Sequence, residues 1–433
     1  MGARARDPHH APELDFRPET SGARAAPPRD DAAPVGDPDD RAAAPPGAEP
    51  GPADPAAEHR LRAAAGPVGY EAERAALPAE ADRVVAGRRA RVVWIEGEAG
   101  AGKSTLVGSA AAASAAAGWR VAVAACPEVD GAPAAWVWQQ LLAELDADTG
   151  ADRSPFALAH AVREACLRHL ASGPVLLVLE DVHRADSATL QILRQVAAWL
   201  GGEPVLLVVT LRGSEADAQV EATAAALASL TGERLVLGGL DPVAVGRVAE
   251  AAGLAGIDAD TAAYLHARTG GNPLFVREVA RLAASVGDLH AVPDGVRHVL
   301  ARRIARLPAG AARALRMAAV WGEEIGFDAL LDLTGDTEEE LADLVDTVTV
   351  AGLVRLDRRG RIGFAHALIR DAVYGDIPVL RRARLHWHAL ELLERRHGLD
   401  PARLAAPPGG ADRADWADWA DWDVLDALAH HAV

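Results

Sequence analysis

The hydrophobic pattern divides the chain into blocks. Residues 1–60 carry almost no large apolar side chains and are rich in Pro, Ala, Asp and Gly. Such a segment cannot bury enough surface to offset its ordering entropy, so a disordered tail is expected. From residue 61 to 240 short apolar runs alternate with helical periodicity. Arg91–Glu96 reads as a strand, followed by a glycine-rich loop and a helix over Lys103–Ala117 that Gly118 ends. Arg120–Ala125 is a second strand and Ala134–Asp146 a helix. Pro174–Glu180 is a continuous apolar run, the pattern of a strand buried on both faces. Ser187–Leu200 is a helix stopped by Gly201–Gly202, Pro204–Thr210 a fourth strand, and Arg234–Leu237 a short fifth. Strands that alternate with helices predict an α/β unit with a parallel sheet covered on both sides.

Beyond residue 240 the pattern turns helical. Asp241–Ala252, Asp258–Arg268 and 274–286 read as helices of a lid spanning 241–293. Residues 294–376 form the next unit. There Thr337 and Glu340 have capping-box spacing and open a helix with Leu341, Leu344, Val345 and Val348 on one face, ended by Gly352. Leu353–Leu356 and Arg361–Phe364 flank Asp357–Gly360, a hairpin signal. Helices followed by a hairpin predict a winged-helix-like unit. Residues 377–433 begin as helix and pass into low complexity at 398–423, where Ala-Asp-Trp triplets hold Trp416, Trp419 and Trp422. A triplet expansion accounts for these tryptophans better than a membrane-facing stripe, given the flanking aspartates.

Composition narrows the function. The formal net charge of −18 disfavours nucleic acid and anionic membrane as partners. The Arg381–Arg382–Ala383–Arg384 cluster is too short to reverse that and reads as a solvated helix face. No apolar run approaches the length of a membrane span and no leader pattern opens the chain, so a cytoplasmic location is expected. Cys126 and Cys166 lie in apolar sequence and read as buried free thiols. Among 44 basic residues the single lysine is Lys103, and the single asparagine is Asn272. A coding bias explains the scarcity of both types. Their persistence at two places marks those places.

Lys103 falls in Gly97-Glu98-Ala99-Gly100-Ala101-Gly102-Lys103-Ser104, which fits the phosphate-loop pattern in full, with Thr105 next. The motif follows a strand and opens a helix, the context that separates it from a chance glycine-rich turn. Glycines let backbone N–H groups wrap phosphate, and the helix N-terminus adds its positive end. Lys103 supplies a flexible point charge for the outer phosphates, and Ser104 a hydroxyl for Mg²⁺. Glu180 and Asp181 end an apolar strand, so both face the same crevice. One of the two is expected to hold Mg²⁺ through water and the other to orient the attacking water. Solvated acids at a strand end are the plainer alternative. Arg212 follows the fourth strand, where it senses a terminal phosphate, pairs with the acids, or is a surface arginine. Gly270-Gly271-Asn272-Pro273 joins two lid helices, as a plain turn or as a contact to the nucleotide or to the neighbouring domain. His366, just after the hairpin, is a ligand-side residue or an ordinary core or surface histidine.

These motifs together resemble the signal-transduction ATPases with numerous domains, in particular the AAA-like ATPase module of large LuxR-type bacterial regulators. The resemblance runs from Gly66 to Ala432 and rests on GPVGYEAE (66–73), GEAGAGKSTL (97–106), LLVLEDVHRADSATL (176–190), VVTLR (208–212), TGGNPLFVREV (269–279), VPDGVRHVLARRIARLP (292–308) and FAHALIRDAVY (364–374). It implies an ATP/ADP switch with Mg²⁺, self-association or partner binding in the ATP state, Asp181 as catalytic acid, Arg212 as sensor, and Asn272, Pro273 and His366 near the nucleotide. The sequence departs from the pattern at Tyr70, where arginine is usual, at Arg184, where tryptophan is common, and at Glu180, where aspartate is usual. The longer Glu180 side chain makes slow hydrolysis, or binding without turnover, the expectation. Leu428–Ala432 resembles the opening of the repeats that follow this module, and no recognition helix is present, so DNA binding by these residues is not expected. A P-loop kinase is the weakest alternative, because the lid and hairpin motifs have no place in one.

Overall fold

A computed structural model describes residues 67–127 and 131–397. The expected N-terminal tail, Gly66, the triplet tryptophans and the repeat-like Leu428–Ala432 lie outside the described residues.

Five parallel strands form the first sheet: β1 (Arg91–Gly97), β2 (Arg120–Ala125), β3 (Val175–Glu180), β4 (Val205–Leu211) and β5 (Thr231–Leu237), in the order β2-β3-β4-β1-β5. Every residue of β3 and β4 is buried. Those strands can therefore be apolar throughout, because helices cover both faces. Helices α1 (Glu71–Gly87) and α2 (Lys103–Ala116) share one core with Val93, Ile95, Val178 and Val208. On the other face, α3 (Trp136–Glu144), α4 (Pro155–Leu170), α5 (Ser187–Trp199) and α6 (Ala218–Ala226) pack around Trp94, Trp138, Leu177 and Val209. The site follows from this order. The chain leaves β1 for the far edge, returns through β3 to β4 beside β1, and leaves a crevice at the carboxyl ends of β1, β3 and β4.

The helical part runs through α7 (Pro242–Ala251), α8 (Ala259–Thr269), α9 (Pro273–Val286), α10 (Asp294–Ala305) and α11 (Ala309–Trp321). A short strand β6 (Glu324–Gly326), helices α12 (Phe327–Thr334) and α13 (Glu338–Val350), strands β7 (Val354–Leu356) and β8 (Arg361–Phe364), and helices α14 (Ala367–Gly375) and α15 (Val379–His397) follow. The Thr337–Glu340 capping box is present, and the hairpin pairs as its turn residues require. One apolar core runs from Leu240 and Val245 through Phe275 and Leu300 to Phe364 and Leu368, so the lid helices and the hairpin unit are packed as one body. Among the described residues no helix is long and apolar enough to cross a membrane.

Several elements differ from expectation. The helix placed at Ala134–Asp146 is shorter, because Ala135 and Asp146 both take positive φ. The fifth strand begins at Thr231, earlier than its apolar residues suggest, since it is an edge strand with one exposed face. Helices α1 and α6 are alanine-rich and weakly patterned, and the hydrophobic periodicity does not reveal them. Strand β6 is three residues long and pairs only with β8. Cys126 and Cys166 are free and buried, and burial pushes both thiols up to about 12.

Candidate functional site

The phosphate loop lies between β1 and α2. Gly100 and Gly102 take φ of 81° and 96°, a region that costs a residue with Cβ about 1–2 kcal/mol. Gly100 is also closed in by packing: a Cβ there would meet Leu274 Cβ at 2.6 Å. Lys103 opens α2 and is 7% exposed. Its Nζ donates to Gly97 O at 2.6 Å and Glu98 O at 3.2 Å, which curls the side chain across the loop. Burial brings its pKa down to about 8, with Arg212 acting the same way and Asp181, Glu180 and Glu215 opposing. A polyphosphate favours the charged lysine. Above pH 8 binding must therefore take up a proton, and affinity falls as pH rises, by at most about tenfold per unit. Calorimetry in buffers of different ionisation enthalpy should detect proton uptake at pH 9 and little at pH 6.5.

Glu180 ends β3, and Asp181 follows at φ 56°, a left-handed conformation that aspartate adopts more readily than most residues. The Asp181 N–H donates to Thr210 Oγ, 3.0 Å away at the end of β4, so the two strand ends are tied together behind the acid. Arg212 turns to a neighbouring carboxylate. Its guanidinium donates to Glu215 Oε1 at 2.7 Å, one turn away in the short 3₁₀ helix Gly213–Glu215. His183, whose side chain is 1% exposed, accepts the Arg212 N–H at Nδ1 (3.3 Å) and sets Nε2 3.6 Å from Glu215. Burial first, then the nearby guanidinium groups, lower the His183 pKa to about 4, so the ring is neutral at ordinary pH and can accept that bond. Burial works to raise the Glu215 pKa, but Arg212, His183 and Arg306 hold it below the usual carboxylate value.

The lid meets the loop through Asn272. Its Oδ1 caps α9 by accepting from Leu274 N (3.1 Å) and Phe275 N (3.4 Å), while Nδ2 donates to Ala99 O at 2.9 Å. Leu274 N also donates to Gly100 O at 3.3 Å. Aspartate could cap the helix but has no donor for Ala99, a physical reason for asparagine here. Asn272→Ala removes the cap and the bridge together. It is expected to cost about 1–3 kcal/mol and to weaken nucleotide binding, whereas Asn272→Asp keeps the cap and loses only the bridge. Thermal melts with and without ATP separate the two losses. Pro273 occupies the first turn of α9, and its ring approaches the phosphate loop at Gly102.

His366 stacks against the same turn from the other side: a Cβ on Gly270 would strike its ring. Burial, then Arg355, Arg303 and His266, lower its pKa. A second bridge joins Glu98 of the loop to Arg303 of α10, with Ser214 Oγ donating to Glu98 Oε1 at 3.0 Å. A third joins Arg306 to Glu215 at 2.9 Å. Sequence reasoning missed Thr210, His183, Glu215, Arg303 and Arg306. His183 lay two residues from the acid pair and Glu215 three from Arg212, but the arginines of α10 carried no local signal.

The donor set suits a nucleotide carried with Mg²⁺. Glycines at positive φ, a lysine and a helix start form the loop. Hard oxygens of Ser104, Glu180 and Asp181 lie around it. Among the described residues no group of three or more His, Cys, Asp or Glu could hold a metal by itself. Mg²⁺ takes one or two protein oxygens and completes its shell with phosphate and water. Thr105 is the third residue of α2. At the loop's open side, the Tyr70 ring lies 3.8 Å from where a Gly102 Cβ would be, and its hydroxyl donates to Gly238 O at 2.7 Å. Burial, then Glu73, push that hydroxyl up to about 12.

Three comparisons bear on this arrangement. A curated relative, an uncharacterized protein of Rhizobium meliloti, is 28% identical over 287 residues, covering 61% of this chain and 27% of its own length. The chain thus spans about a quarter of the relative it matches. Among solved structures, the ORC2 protein of Aeropyrum pernix, determined as ADPNP and ADP complexes, aligns with a TM-score of 0.50 at 15% identity over 77% of this chain and 96% of that one. A signal-transduction ATPase with a tetratricopeptide repeat sensor from Pyrococcus horikoshii aligns with a TM-score of 0.30 at 15% identity over 74% of this chain and 45% of that one. The ORC2 likeness establishes a shared P-loop α/β fold. Residues 67–209 match the model of the AAA ATPase domain family.

Proposed function

We propose that the chain is an ATP/ADP-binding regulatory switch with slow hydrolysis, the ATPase module of a cytoplasmic bacterial regulator of the LuxR type. The α/β unit 61–240 binds the nucleotide, and the lid 241–293 and winged-helix-like unit 294–376 respond to it. The observation that carries this reading is the attachment of the phosphate loop to the helical part. Asn272 reaches Ala99, and Arg303 reaches Glu98. A change in the loop is therefore felt beyond the α/β unit, as a switch requires and fast turnover does not. In this reading Gly97–Thr105 cradle the phosphates, and Lys103 neutralises them. Ser104 and Glu180 hold Mg²⁺, which offsets phosphate charge when bound. Asp181 accepts the proton of the attacking water, Arg212 is released from Glu215 toward the terminal phosphate, and His366 and Pro273 line the helical side.

Asp181→Asn is expected to lower phosphate release by about 100-fold or more while ATP still binds. Mass spectrometry of the co-purifying nucleotide, together with a phosphate-release assay, tests the proposal. A folded chain that carries no nucleotide and binds none would sink it. A second reading, binding without turnover, is favoured by the left-handed Asp181 beside the longer Glu180. Tight ATP binding with release equal to that of Asp181→Asn selects it.

A further inference from the structure

We propose that Arg303 is a phosphate-binding residue of the nucleotide site, supplied by α10 from outside the AAA domain and held in reserve by the loop's own Glu98. This rests on the nucleotide reading above. Arg303 lies near the C-terminal end of α10, in the helical part of the chain. Its guanidinium reaches the Glu98 carboxylate, within the loop whose backbone Lys103 grips. The side chain is 16% exposed, and burial lowers its pKa. Gly352 closes over the pair: a Cβ there would lie 3.4 Å from an Arg303 nitrogen and 3.5 Å from Glu98 Oε1.

A carboxylate on the phosphate loop is unfavourable for a ligand carrying three or four negative charges. Arg303 neutralises it and is held within one side chain's length of the loop. When a polyphosphate enters, Glu98 is repelled and the phosphate is the stronger anion, so the guanidinium transfers from carboxylate to phosphate. Ser214, which donates to Glu98 Oε1, retains the displaced carboxylate. Arg306 on Glu215 keeps α10 in place during the exchange. Because the cation comes from α10, nucleotide affinity and the docking of the helical part become one linked equilibrium.

The deciding comparison is made without the carboxylate. ATP affinity is measured by calorimetry for the wild-type chain, Glu98→Gln, and Glu98→Gln combined with Arg303→Gln. We expect Glu98→Gln to bind ATP severalfold tighter than wild type, and the double variant to bind about tenfold more weakly than Glu98→Gln. Inorganic tripolyphosphate should repeat the order, since the contact is to phosphate and not to the base. Adding Arg303→Lys to Glu98→Gln should recover part of the loss. Equal affinity of Glu98→Gln and the double variant would mean that Arg303 serves only Glu98, and would overturn the inference while leaving the nucleotide reading intact. If the double variant fails to fold, Glu98→Gln decides alone: weaker binding than wild type overturns the inference. No ATP binding by any folded form overturns the nucleotide reading, and this inference with it.

Discussion

Lys103→Ala should weaken ATP binding by at least about 100-fold, the loss expected when the one flexible cation of a phosphate loop is removed. The effect is large because no other cation can take its place at the start of α2. Lys103 is the sole lysine in the chain, and Arg212 and Arg303 approach from the end of β4 and from α10, where Glu215 and Glu98 hold them. The cost to folding should be small. Removing Nζ leaves Gly97 O and Glu98 O without that donor, but it also removes a charge whose burial depresses its pKa to about 8. The melting temperature without nucleotide should therefore stay near wild type. With ATP, the wild type gains about 2.7 kcal/mol at a concentration of 100 Kd, and Lys103→Ala gains almost none. Equal stabilisation of both proteins by ATP would place the nucleotide elsewhere.

The legibility of this site follows from which interactions are local. The phosphate loop and the acids after β3 are short contiguous segments whose chemistry needs fixed residue types, so both could be read directly. The buried strands were equally plain, because a short, wholly apolar run bounded by turn residues suits a strand covered on both faces and little else. Helices α1 and α6 were missed because alanine-rich sequence carries little periodicity, and their packing depends on a sheet formed by distant residues. Asn272 was visible as an oddity of composition within a Gly-Gly-Asn-Pro turn. Its meaning, a cap on one side and a donor to Ala99 on the other, needed the fold. Arg212 was legible only as a set of alternatives, and its contact with Glu215, one 3₁₀ turn away, needed the fold. Arg303, on α10, and Arg306, at its C-cap, stood among other arginines of the same segment. Only the approach of α10 to the crevice separates them from solvated ones.

Gly271→Ala should be the most damaging single-methyl change in the helical part. Gly271 takes φ 70°, and a Cβ would lie 2.2 Å from Leu240 O and 2.6 Å from Leu240 N. Both are backbone atoms of the segment leading from β5 into α7, and Gly271 O accepts the Leu240 N–H. The turn cannot shift without breaking that bond and moving Asn272 away from Ala99. The left-handed backbone alone costs about 1–2 kcal/mol, and the overlap brings the total above about 4 kcal/mol. Gly287→Ala is the matched control. It lies just past the other end of α9 at φ 79°, and a Cβ there meets nothing within 4 Å. It should therefore lose only the backbone cost of about 1–2 kcal/mol and keep wild-type ATP affinity. Chemical denaturation and ATP titration of the pair check both halves. Similar stability losses for the two variants would show that the turn yields. Unchanged ATP affinity in Gly271→Ala would show that the phosphate loop does not depend on the lid turn, and the switch reading would lose its physical link.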